Sequence, residues 1–173
     1  MNKALTLTEL IVAITLMGVI ILGVVSFDFG SRNMLKSSER KTQVMNQAAL
    51  ILDRISKDAL TGIGDLGAPA MNVTANALNI RQDDGDGVRE STASDPIVSY
   101  VFDNGAHTLT RTVGASPAET MSDNVVDFTA IIFDNTALVT IQLRPNPAIP
   151  ENAFDNPQVT IQSSIEAPAW SLN

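Results

Sequence analysis

An uncharged run of 18 residues, LIVAITLMGVIILGVVSF at 10–27, constrains the fold of this chain more than any other feature. As a helix, this run is about 27 Å long, which is enough to cross the hydrocarbon core of a bilayer. A secretory signal peptide usually has a shorter apolar region that is followed by a small-residue cleavage site, and no such site follows this run. The run therefore predicts a membrane-spanning helix.

Glu9 directly precedes this run and requires an explanation, because a carboxylate is costly within a bilayer. One interpretation places Glu9 at the membrane interface or in the first turn of the helix, where the helix dipole favours an acid. The other interpretation is that Glu9 meets a cation supplied by another group. The sequence leaves both interpretations open.

The segment 31–60 contains no proline or glycine and continues the helical pattern. Apolar residues spaced by three and four form one stripe in its second half, whereas the residues at 37–41 are polar and read as solvated. We expect the helix to leave the membrane and bury its last four turns, and we expect Gly62 and Gly64 to end it. The predicted stripe consists of Met45, Ala48, Leu52, Ile55 and Ala59.

Alternating apolar and polar residues follow a predicted loop at 61–75. Asn104-Gly105 and Asp134-Asn135 indicate two hairpin turns, and the prolines of RPNPAIP exclude a strand there. The predicted fold is therefore α+β: a long helix, apolar and then amphipathic, packed on one antiparallel sheet at 76–166, with a C-terminal tail. The predicted strands are Ala77–Gln82, Ile97–Asp103, Thr108–Val113, Val125–Phe133, Ala137–Leu143 and Gln158–Ile165.

The N-terminal stretch ALTLTELIVAI resembles the processing site of type IV prepilins and pseudopilins. In that family, a short basic leader is cut after a small residue, and a glutamate is the fifth residue of the mature chain. By resemblance, Ala4 precedes the cut, Leu5 becomes the new N-terminus and Glu9 is the fifth mature residue. Ala4 and Leu5 depart from the usual Gly and Phe. The implied organisation is a leader at 1–4, a transmembrane and assembly helix at 5–30, and a globular pilin domain at 31–173.

The resemblance implies that the protein is first held in the inner membrane and is then assembled into a filament. A prepilin peptidase would cut the chain, and the new amine of Leu5 would be methylated. The subunit would wait as a single-pass inner-membrane protein with a periplasmic domain, and membrane-embedded machinery would then move it into a pilus or pseudopilus. There, Glu9 of one subunit would pair with the Leu5 amine of another pilin-like subunit, so a costly acid would specify the correct register.

The stretch IVSYVFDNGAHTLTRTV resembles a hairpin of J-type minor pseudopilins and W-type minor pilins. The chain has no cysteine, which disfavours a major pilin with a C-terminal disulfide loop. The expected function is thus a structural subunit, a minor pilin or pseudopilin of a type IV pilus or type II secretion-like filament, and not an enzyme. The alternative is a periplasmic binding or hydrolytic domain held by a single membrane span.

The stretch RQDDGDGVRE is the one element of the sequence that resembles a metal site. Flexible acidic loops supply the oxygen ligands that calcium prefers, but the spacing of an EF-hand is absent. An acidic turn between strands explains the same residues, because Asp and Gly favour turns. Calcium is the only cofactor considered, and its candidate ligands are Asp83, Asp84, Asp86 and Glu90.

Other sequence features argue against further functions. A net charge of −8 gives no indication of a nucleic-acid partner, which would need a basic face. The single histidine, His107, lies in a predicted hairpin turn, and no nucleophile-elbow motif accompanies it. Charged residues of the helix at 53–58 could form a catalytic cluster, but they read as a solvated helix face: Asp53, Arg54, Lys57 and Asp58.

Overall fold

A computed structural model describes residues 6–64, 69–85, 95–133, 135–152 and 155–168. Within these ranges, the chain forms one long helix and then a series of strands. The elements are α1 (Leu7–Leu60), β1 (Met71–Thr74), β2 (Ala77–Arg81), β3 (Ile97–Asp103), β4 (Thr108–Val113), β5 (Glu119–Ser122), β6 (Val125–Phe133), β7 (Thr136–Leu143) and β8 (Val159–Glu166).

Helix α1 has 54 residues and is about 81 Å long at the standard rise. It joins the apolar run to the charged segment without a break, and it passes through Gly18, Gly23 and Gly30 as a regular helix. It ends at Leu60, with Thr61 as its C-cap, directly before Gly62. The prediction of a single helix that extends beyond the apolar run is therefore confirmed.

The buried stripe of α1 differs slightly from the predicted one. Met45 is 46% exposed, whereas Val44 and Ile51 are buried instead. The predicted stripe is therefore correct at Ala48, Leu52, Ile55 and Ala59 but wrong at Met45, because the face that packs on the sheets begins at Val44. The residues of α1 that are buried are Val44, Ala48, Ile51, Leu52, Ile55, Asp58 and Ala59.

The strands form two antiparallel sheets, with the orders β1-β2-β3-β4-β5 and β6-β7-β8. The α+β layout, with a long N-terminal helix and antiparallel pairing, is confirmed. The prediction of one sheet is wrong, because the chain starts a new sheet at β6. Among the strands that the structure describes, β6 pairs with β7 alone, and it carries a bulge between Val125 and Asp127. An alternating pattern predicts strands but does not say which strands pair.

Two strands escaped prediction, and both have only four residues. Strand β1 lies in the segment 61–75 that was predicted to be a loop, and it pairs with β2 through a tight turn in which Ala75 has a φ of 42°. Strand β5 follows Pro117 and pairs with β4. Strands this short contain too few residues to show alternation.

The sheets lie beside the second half of α1, which packs chiefly on β7 and β8. Contacts along the helix fix its direction relative to the sheets. Arg40 meets Asp155 in the β7–β8 connection, and Asp58, near the other end of α1, meets Tyr100 and Arg111. The end of the sheet domain beside Arg40 is therefore the end nearest the apolar half of the helix, and we name it the lower edge.

Candidate functional site

The first half of α1 is exposed on all sides. Every residue from 6 to 30 is exposed, including large apolar side chains such as Leu10, Ile20 and Phe27. By length and composition, this helix can cross a membrane, and its most apolar 18-residue window has no buried residue. An apolar surface of this extent on a folded protein marks a contact with lipid or with another protein.

Glu9 belongs to the first turn of α1, where it forms a capping box with Thr6. The Thr6 backbone N–H donates to Glu9 Oε2 at 2.9 Å, and the Thr6 hydroxyl donates to the same oxygen at 2.7 Å. The Glu9 backbone N–H in turn donates to the Thr6 hydroxyl oxygen at 3.4 Å. The interpretation of Glu9 as a first-turn acid is confirmed, and this arrangement satisfies otherwise unpaired N–H groups.

The capping box also determines what else Glu9 can bind. Among the described residues, every hydrogen bond to the Glu9 carboxylate falls on Oε2, so Oε1 is open to a further donor. A groove of about 360 Å³ lies beside it, with Val12, Ala13 and Leu16 in its wall. The predicted cleavage residues Ala4 and Leu5 lie outside the described residues, so pairing of Glu9 with an amine stays a prediction.

At the other end of α1, Asp58 is buried and binds two side chains of the five-stranded sheet, Arg111 and Tyr100. Arg111 binds it in a two-pronged ion pair, with Nε to Oδ2 at 2.7 Å and Nη2 to Oδ1 at 3.0 Å. The Tyr100 hydroxyl donates to Oδ2 at 2.6 Å. Tyr100 and Arg111 are directly opposite each other on β3 and β4, so this cross-strand pair connects the five-stranded sheet to the helix.

The ionisation of these groups follows from their contacts. Burial raises the pKa of Asp58, but hydrogen bonds from Arg111 and Tyr100 outweigh burial and leave the pKa below its ordinary value. Burial and the nearby Asp58 carboxylate raise the pKa of the Tyr100 hydroxyl. The hydrogen bond to Asp58 raises the pKa of Arg111, so the pair stays charged at neutral pH.

The prediction that Asp58 belongs to a solvated face is therefore wrong, although its neighbours fit it. Asp53 and Lys57 form an ion pair of 2.6 Å with both side chains more than half exposed. Arg54 reaches Asp58 only at 4.0 Å. The sequence contained one indication of a buried ion pair, since Arg111 occupies an inward-facing position of β4. A buried guanidinium needs a counterion, and Asp58 provides it.

The acidic loop brings together only part of the predicted calcium ligands. Carboxylate oxygens of Asp83, Asp84 and Asp95 lie within 4.8 Å of one another, which would allow them to hold one cation jointly. Asp95 was not among the predicted ligands, because it lies outside the motif in sequence. Asp86 and Glu90 fall outside the described residues, so a calcium site and a simple acidic turn both remain open.

His107 lies in the β3–β4 turn, as predicted. It adopts a left-handed backbone conformation with a φ of 57°, and its carbonyl accepts a hydrogen bond from the Val125 N–H at 3.1 Å. The histidine thus joins the turn to the start of β6, at the lower edge of the sheet domain.

Together, these features define a protein with one exposed apolar half-helix, a glutamate in the cap of that helix, and an α+β domain fixed to its second half. No family model, curated protein or solved structure matches the chain. The physical features of the helix and the domain therefore provide the basis for any proposal about function.

Proposed function

We propose that this chain is a pilin-like structural subunit, a minor pilin or pseudopilin of a type IV pilus or type II secretion-like filament. In this proposal, a prepilin peptidase cuts after Ala4, and the span around residues 10–27 stores the subunit in the inner membrane. Assembly machinery then moves the subunit into a filament, where its helix packs against those of other pilin-like subunits.

The observation that carries the proposal is the division of α1 into two halves. Residues 6–30 are exposed and mostly apolar, with no charge between 10 and 27, whereas the stripe from Val44 to Ala59 is buried under the two sheets. A simple anchor needs only the first half, joined to its domain by any linker. A continuous rigid helix instead fixes the position of the domain relative to the apolar surface, as an ordered assembly of subunits requires.

The capping box supports the role proposed for Glu9. In the single subunit, Thr6 satisfies one carboxylate oxygen and so offsets part of the cost of placing an acid near the membrane. The other oxygen stays open to the amine of Leu5 on an adjacent subunit. The groove beside Glu9 provides space for that neighbour. Ala13 lies in its wall, and its small side chain lets the neighbouring helix come close.

Replacement of Glu9 tests this function. We expect Glu9→Ala to leave membrane insertion intact and to lower filament recovery in a sedimentation assay by about tenfold or more, because the register-specifying charge pair is lost. Glu39→Ala is the matched control, since it removes another exposed acid of the same helix outside the apolar half. Normal filaments from the Glu9→Ala variant would contradict the pairing role.

The same experiment addresses the alternative of a tethered periplasmic binding or hydrolytic domain. Such a protein needs its span only for attachment, so neither variant would change its behaviour and no sedimenting filament would form with the native chain. That outcome would remove the filament proposal altogether.

A further inference from the structure

Charge is divided unevenly between the helix and the sheet domain. Residues 31–60 carry six Lys/Arg and three Asp/Glu, whereas residues 61–173 carry four Lys/Arg and fourteen Asp/Glu. The second half of the helix is therefore basic, and the segment 61–173 that forms the sheet domain is strongly acidic. Opposite charges of this size on two regions of one chain favour contacts between copies as well as within a copy.

The basic part of the helix is concentrated just below the sheets. Residues 29–52 contain four Lys/Arg and a single acid, Glu39. Three of these cations are spaced by four and form a row along the helix, which we name the basic row: Arg32, Lys36 and Arg40. The row ends one turn before Val44, the first buried residue of α1. Lys36 is exposed and has no ion pair among the described residues.

The lower edge of the sheet domain is acidic. It contains the β3–β4 turn, the connection from β5 to β6, and the β7–β8 connection, and the exposed carboxylates there are Asp103, Asp123, Glu151 and Asp155. The guanidinium of Arg144 is turned inward, where it donates to the Ile149 carbonyl and to Gln158. Negative charge thus faces the level of the helix at which the basic row ends.

One contact between these two surfaces already exists within the chain. Arg40, the top member of the basic row, donates to the backbone carbonyl of Asp155 and lies 3.5 Å from its Oδ1. The other two members stand lower on the helix, Lys36 by about 6 Å and Arg32 by about 12 Å. Among the described residues, Arg32 forms its ion pair with the exposed Asp28 of its own helix, at 2.8 Å.

We propose that Lys36 and Arg32 of one copy bind the lower edge of a second copy of this chain. The second copy would be displaced along the helix axis by about 6–12 Å toward the apolar end, so that its lower edge stands at the level of these two cations. This inference rests on the proposed function, since it requires apolar helices that pack side by side. Each exposed ion pair alone contributes little to the affinity between copies. The main effect of the contact is therefore to select the axial stagger between them.

Cysteine cross-linking tests the contact directly, because the chain has no native cysteine. Full-length Lys36→Cys and full-length Glu151→Cys chains are co-expressed, so that any heterodisulfide must join two copies. We expect a cross-linked dimer in the sedimented filaments. Lys36→Cys with Glu166→Cys is the matched control, since Glu166 is equally exposed but lies at the far end of β8, and it should give no such dimer.

Charge reversal tests whether attraction forms the contact. We expect Arg32→Glu with Lys36→Glu to lower filament recovery about tenfold, and Asp123→Lys with Glu151→Lys to do the same. The two variants should assemble when mixed, since each then offers the other a surface of opposite charge, and a chain with all four changes should assemble alone. Lys57→Glu, on the helix beside the sheets, controls for reversing a helix cation outside the basic row.

The outcomes separate this inference from the proposed function. Filaments that form without the Lys36–Glu151 cross-link, and that charge reversal leaves unchanged, would overturn the inference and preserve the filament function. In a second outcome, the reversal at Arg32 and Lys36 lowers filament recovery in a way that the lower-edge reversal does not restore. That result would indicate that these cations bind anionic lipid headgroups, and it would also overturn the inference. If the native chain forms no filament, both proposals fail together.

Discussion

Asp58 provides the sharpest test of how the helix is fixed to the sheet domain. The Asp58→Asn change keeps the size of the side chain but removes the negative charge that Arg111 and Tyr100 surround. The Arg111 side chain would then be a buried cation without its counterion. The two oxygen contacts at 2.7 and 3.0 Å would become at most one good hydrogen bond to a neutral amide oxygen.

The expected loss is large. Breaking a buried ion pair by removing one partner costs about 3–5 kcal/mol, because the remaining charge stays desolvated. Tyr100→Phe removes a single hydrogen bond to a charged group and should cost about 1.5–3 kcal/mol. Asp53→Asn is the matched control on the same helix, since its exposed pair with Lys57 contributes at most about 1 kcal/mol.

The measurement is denaturant unfolding of the full chain in detergent micelles. Unfolding of the sheet domain is monitored by circular dichroism. If Asp58→Asn lowers the free energy of unfolding no more than Asp53→Asn does, the Asp58–Arg111 pair does not fix the helix to the sheet domain. A double variant, Asp58→Leu with Arg111→Met, provides a further check, since replacing both partners by apolar groups should restore much of the stability that Asp58→Asn removes.

Three further predictions follow from the same structure. Hydrogen bonds from Arg111 and Tyr100 lower the pKa of Asp58, so its contribution to stability is present above its ordinary pKa of about 4 and is lost as pH falls through the lowered pKa. The difference in unfolding free energy between the native chain and Asp58→Asn should therefore narrow in unfolding titrations as pH falls below about 4. Asn156 is fully buried and forms hydrogen bonds with the backbone of the β7–β8 connection at Asn146, Ile149 and Pro150. Asn156→Ala should therefore lower the free energy of unfolding by about 1–3 kcal/mol and speed protease cleavage of this connection. Ile55→Ala should cost about 2–5 kcal/mol in unfolding titrations and the exposed Leu50→Ala less than about 0.5 kcal/mol, and equal losses would contradict the assigned helix face.

Much of the secondary structure could be predicted because its apolar patterns extend over many residues. The apolar run and the charged segment after it predicted one helix, and β3, β4 and β6 were predicted at their observed bounds. The β3–β4 hairpin formed as expected, but its turn is built differently. Asp103 Oδ1 accepts from the N–H groups of Gly105 and Ala106, and His107 rather than Gly105 takes the left-handed conformation.

The sites were less predictable because they join residues that are distant in sequence. Asp58 read as one charge among several on a helix, and only the three-dimensional fold brings it to Tyr100 and Arg111. Asp95 is separated from Asp83 and Asp84 by a segment that no motif spans. Glu9 is the exception, since its capping partner Thr6 is three residues away and both belong to one local pattern.

The mass of the mature chain shows whether this protein is processed as a pilin-like subunit. The intact protein is extracted from membranes of cells that contain the prepilin peptidase and is measured by mass spectrometry. We expect loss of residues 1–4 and a new N-terminus at Leu5, whose free amine would pair with Glu9 of a neighbour. A chain that retains Met1 through Ala4 in those membranes would contradict the claim.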